Sequence, residues 1–146
     1  GESSAQGEPS AQGEPSAQGE SSAQGEPSAQ GEPSAQVVVY VASENMGNGE
    51  EKLGKLLMRG FLKTLKELSP LPSHLIFVNG GVHLVCNESK DTVAAIRELE
   101  SLGIEVLACG TCLDFYSVKD ELAVGRVTNM FEIVETLAGS PRVIKP

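Results

Sequence analysis

The chain has 146 residues and a formal net charge of −9, but its first quarter and the rest are different material. Residues 1–36 are six hexapeptides, GESSAQ twice and GEPSAQ four times, holding six of the twenty acids and none of the eleven bases. The remaining 110 residues are long enough for one domain with a real core and too few for two. Their mild acidity argues against a nucleic-acid coat, which needs a basic surface. No apolar run approaches the length of a membrane span, so no membrane is expected. Three cysteines do not make a secreted disulfide framework, and the reading is cytoplasmic. The chain does not begin with Met and shows no charged-then-apolar leader, so it reads as a piece of, or processed from, something longer.

In chain order, the repeat has no branched aliphatic or aromatic residue to set against the entropy of ordering. Pro9, Pro15, Pro27 and Pro33 also interrupt any helix, so residues 1–36 are expected to form a disordered linker. Val37–Ala42 (VVVYVA) is a β-branched run suited to a strand buried on both faces. After the loop SENMGNG, the segment EEKLGKLLMRGFLKTLKEL predicts a helix. Its apolar stripe is read as Leu53, Leu57, Phe61, Leu65 and Leu68, widened by Leu56 and Leu62. Lys52, Lys55, Arg59, Lys63 and Lys66 form a basic face, read as solvated. Pro70 and Pro72 end the helix, and residues 74–80 (HLIFVNG) predict a second strand.

The alternation then repeats. Ser89 is placed to cap a helix through Val93, Ile96, Leu99 and Leu102 that stops at Gly103. Residues 104–108 (IEVLA) predict the third strand. A loop and a short irregular stretch come next, and then a fourth strand at 125–129. A helix through Met130, Ile133, Val134 and Leu137 ends at Gly139, and a last short strand covers 142–145. The expected domain, 37–146, is a three-layer α/β sandwich with a mostly parallel sheet of about five strands. Sites in such sheets lie at the carboxyl ends of strands.

The segment with chemistry is Cys109-Gly110-Thr111-Cys112, directly after the third strand. A thiol at that edge, ahead of a helical turn, meets backbone N–H groups that favour the thiolate and lower its pKa. Gly110 is expected to turn the backbone sharply and leave the Cys109 sulfur uncovered. Such a thiolate can take up sulfane sulfur as a persulfide, which the Cys112 thiol can resolve. Gly110, Thr111, His83 and Asn79 stand as supporting positions. The alternatives are a packed, inert pair in a non-enzymatic oligomeric scaffold, and a dithiol–disulfide exchanger. Zinc has only Cys86, His74 and His83 to join the pair, none at customary spacing, and Cys86 reads as a packing residue. Gly47-Asn48-Gly49 fails as a dinucleotide loop because Lys52 stands where the third glycine belongs and glutamates surround it. No cofactor is expected.

VVVYVASENMGNGEEKLGKLLMRGFLKTL, LIFVNGGVHLV, GIEVLACGTCLDFY and GRVTNM together resemble the carboxyl-terminal domain of the YedF-like proteins, sulfurtransferase-like proteins of selenium metabolism in the DsrE/DsrF-like superfamily. The resemblance covers essentially all of 37–146. It implies a three-layer α/β fold, homo-oligomers, and a sulfur-carrying cysteine on the loop after a central strand. Cys109 matches that cysteine, and Cys112 belongs to the CGTC version of the motif. It further implies a cysteine desulfurase as sulfur donor and a TusA-like domain as partner. The Cys-Pro motif of that domain is absent here, and Leu113-Asp114-Phe115-Tyr116 replaces the helix with a terminal Arg-Gly pair found in DsrE-type relay subunits.

Overall fold

The computed structural model describes residues 36–146; the linker expected over 1–36 lies outside them but for Gln36. Five strands form one sheet: β1 (Val37–Val41), β2 (His74–Phe77), β3 (Glu105–Cys109), β4 (Arg126–Thr128) and β5 (Arg142–Ile144). Their order is β4-β3-β2-β1-β5 and every pairing is parallel. The expected "mostly parallel" sheet is thus wholly parallel. Each strand pair therefore needs a crossover, and the helices α1 (Glu51–Thr64), α2 (Lys90–Ser101), α3 (Gly110–Phe115) and α4 (Met130–Ala138) supply them. The chain steps outward from β1 to β4 and then returns past β1 to β5. Right-handed crossovers consequently put α4 on the face opposite α1 and α2.

The central strands are buried on both faces, as their unbroken apolar runs require. Val38, Val39, Val41, Leu75, Ile76, Phe77, Val106, Leu107 and Ala108 are at most 2% exposed. Each large side chain so buried contributes about 1.5–3 kcal/mol of transfer free energy. α2 adds Val93, Ile96 and Leu99 from one helical face, while α4 buries only Ile133. Asn129 caps α4 by accepting the Glu132 N–H at 2.9 Å.

The core face of α1 matches the expected one only in part: Leu62 and Leu65 are buried and Phe61 is partly buried, but the centre of the face has shifted. Gly54, Met58, Leu62 and, just past the helix, Leu65 are buried, whereas Leu53, Leu57 and Leu68 are 51%, 46% and 44% exposed. The helix is apolar over most of its circumference, so spacing alone allowed two stripes. Packing against α2 and the sheet selects the one running through Met58 and Leu62. Of the basic face, Lys55 pairs with Glu51 at 3.3 Å and Lys66 with Glu98 at 3.3 Å, both at the surface.

Candidate functional site

The carboxyl ends of β2 and β3 lie side by side, Phe77 opposite Ala108. The segments leaving these two strands build the site. After β2 the chain turns at Asn79, whose φ of 51° is left-handed, into a 3-10 segment, Asn79–Val85. Asn tolerates this conformation better than most residues with a side chain. Gly81 lets the segment press on β1, since a Cβ there would lie 2.4 Å from the Val41 carbonyl oxygen. After β3 there is no loop. Cys109 is the last strand residue and the N-cap position of α3, which runs through Phe115 where an irregular stretch was expected.

This continuity decides the fate of the two thiols. Cys109 is 2% exposed, enclosed in the core cluster and paired in register with Thr128 of β4. The expectation that Gly110 leaves this sulfur uncovered is therefore overturned. Gly110 instead permits close contact with β4, because a Cβ on it would lie 3.0 Å from Val127 Cγ1 and 3.2 Å from the Thr128 carbonyl oxygen. Cys112, in the first turn of α3, is half-buried and reachable.

The Asn79 backbone N–H donates to Cys112 Sγ at 3.0 Å. This contact favours the thiolate, but burial and the neighbouring Cys109 thiol favour the protonated form more, and together they push the Cys112 pKa above the ordinary thiol value. The lowered pKa expected from the strand-edge position is thus not found at Cys112. Tyr116 Oη donates to Asn79 Oδ1 at 3.1 Å. Its ring packs on His83, with centroids 4.6 Å apart, and edge-on against Phe115 at 5.2 Å.

Of the supporting positions, Asn79 touches Cys112 directly. His83 reaches the site only through Tyr116 and turns Nδ1 toward Glu88 Oε2, 3.7 Å away. Thr111 is exposed to solvent. Tyr116 was missed as a participant. Its phenol sits one helical turn beyond Cys112, but its partner lies 37 residues back and no local pattern announces it. Cys86 is fully buried and its thiol pKa is pushed up to about 11, first by burial and then by Glu88 and Glu121, in keeping with a packing role. Among the described residues no three His, Cys, Asp or Glu side chains gather as a metal would require, and no helix is long and apolar enough to cross a membrane.

An all-parallel five-stranded sheet with a thiol pair at its carboxyl edge defines the architecture, and comparison with solved structures gives its class: the chain has a DsrE-like fold. The YchN protein of E. coli superposes with a TM-score of 0.57 at 19% identity, over 76% of this chain and 99% of that one. MTH1491 of Methanobacterium thermoautotrophicum, described as a protein of unknown function, gives 0.54 at 20% identity, over 76% and 98%. No family model and no curated protein matches the sequence.

Proposed function

We propose that residues 37–146 form a thiol-based sulfur carrier in which the Cys109–Cys112 pair takes up sulfane sulfur as a persulfide and hands it on. The observation that carries this reading is the surroundings of Cys112. The residue is only partly buried, its sulfur accepts a backbone N–H, and a second thiol lies beside it. The N–H gives an attacking thiolate partial charge compensation without a bound cation. The neighbouring Cys109 offers a second position for the sulfur or a resolving thiol.

The YedF-like resemblance adds the finer content of the proposal: selenium as an alternative cargo, a cysteine desulfurase as donor class, a TusA-like domain as partner, a homo-oligomeric state and a cytoplasmic setting. Intact-mass measurement after exposure to cysteine persulfide tests the core of it. The wild-type chain is expected to gain one sulfur atom and Cys86→Ser to gain it equally. Cys109→Ser/Cys112→Ser is expected to gain none; a double variant that still loads refutes the site.

The second reading, dithiol–disulfide exchange, is favoured by the closeness of the two thiols, each of which influences the ionisation of the other. Titration against glutathione redox buffers separates the two. A Cys109–Cys112 disulfide forming at physiological potential in a chain that takes no sulfur supports exchange alone.

A further inference from the structure

The carrier reading leaves open which sulfur acts first, and the order inferred for the two thiols rests on that reading. A donor persulfide must approach the attacking sulfur along the bond that will break, so the attacking atom needs open space on one side. Cys109 has none: it ends a central strand, is 2% exposed, and has β4 drawn over its neighbour Gly110. Cys112 is only partly buried, and its sulfur is held from the side. The holding group comes from β2's end, 33 residues upstream, where the left-handed turn at Asn79 aims its N–H at Cys112 Sγ.

That turn is itself tied down. Asn79 Oδ1 accepts the Tyr116 hydroxyl, and the Tyr116 ring is wedged between His83 and Phe115. The line His83–Tyr116–Asn79–Cys112 thus joins the 3-10 segment to α3 across the site.

We propose that Cys112 is the thiol that receives the incoming sulfur, with Cys109 behind it as the second thiol, and that Asn79, clamped by Tyr116, is its positioning residue. In the step, the Cys112 thiolate attacks the terminal sulfur of a donor persulfide, R–S–SH. A Cys112–S bond forms and the donor S–S bond breaks. The electron pair leaves on R–S⁻, which takes a proton from water, and the product is Cys112–S–SH. No net oxidation occurs. This order reverses the one expected from the strand-edge position of Cys109.

Brief exposure of the wild-type chain to cysteine persulfide, then trapping by alkylation and localisation by fragment ions, tests the order without any substitution. The early adduct is expected on Cys112. An early adduct on Cys109 overturns the assignment and leaves the carrier reading standing, whereas no adduct at all overturns both.

The positioning role is tested in Tyr116→Phe, which keeps the ring and removes the donated hydrogen bond. The iodoacetamide rate at Cys112 is expected to fall about threefold near pH 8, and its midpoint to move to higher pH, with no loss of Tm. Asn79→Ala, which disfavours the left-handed turn, is expected to act in the same direction and more strongly. An unmoved pH profile in both variants, even with a lowered Tm, overturns the positioning role.

Discussion

Two regions of this domain carry the residues that draw attention in the sequence, and they are built on opposite lines. At the β2–β3 rim, groups from two segments converge on a partly covered sulfur, joined by contacts that each reach more than thirty residues along the chain. On the α1–β5 flank, Leu56, Leu57, Phe61, Leu68 and Ile144 line a shallow groove of about 530 Å³ open to solvent. The groove is almost wholly apolar and includes none of the groups around the thiols. Volume and apolar character describe a surface that something can cover. Converging polar groups on a nucleophile describe a surface that can react.

Substitutions that treat the two regions alike sharpen this contrast. The largest expected effect is on sulfur loading, which Cys109→Ser/Cys112→Ser abolishes and Leu57→Glu leaves intact, as read by intact mass. Next comes the choice of α1 face. Met58→Ala is expected to cost about 2–5 kcal/mol in urea unfolding, while Leu57→Ala on the groove side costs a fraction of that in the separated domain. The two glycines form a further pair. Gly81→Ala forces a Cβ toward the Val41 carbonyl and is expected to cost about 1–3 kcal/mol. Gly60→Ala meets nothing within 4 Å on the groove side and is expected to stabilise by about 0.5–1 kcal/mol through helix propensity. A destabilising Gly60→Ala would break the comparison, because it would mean that the groove is packed.

The smallest effects are in pH dependence. The Glu132 carboxyl is held down to about 2, first by the Arg126 hydrogen bond and then by Thr128. Because its folded pKa lies below the unfolded one, its modest contribution is full above about pH 4.5 and is lost as pH falls toward 2. Cys86 runs the other way. Its raised pKa makes its contribution full below pH 9 and lost as pH rises toward 11. Urea midpoints followed across both windows in Glu132→Gln and Cys86→Ser should flatten the acid and the alkaline limb respectively.

Much of the fold was legible because the strands announce themselves. VVVYVA, HLIFV and IEVLA are short apolar runs bounded by Gly, Pro and Ser, and runs of that kind become strands buried on both faces. The core face of α1 was legible only in part: Leu62 and Leu65 were in the expected stripe, but Leu53 and Leu57 compete with Met58 at helical spacing and only the neighbouring α2 and sheet choose between them. The CGTC segment was found by its place after a strand, but its two sulfurs could not be told apart there. Their difference in exposure comes from β4 closing over Gly110 and from Asn79 reaching across from β2. Neither contact leaves a mark within the motif.

The central claim is that the Cys109–Cys112 pair accepts and gives up sulfane sulfur. Its most direct test is the intact mass of the wild-type domain after cysteine persulfide and again after cyanide, which removes sulfane sulfur as thiocyanate. One sulfur atom gained and then lost, with equivalent thiocyanate released, is the expected result; a domain that gains no sulfur, or gains it only at Cys86, contradicts the claim.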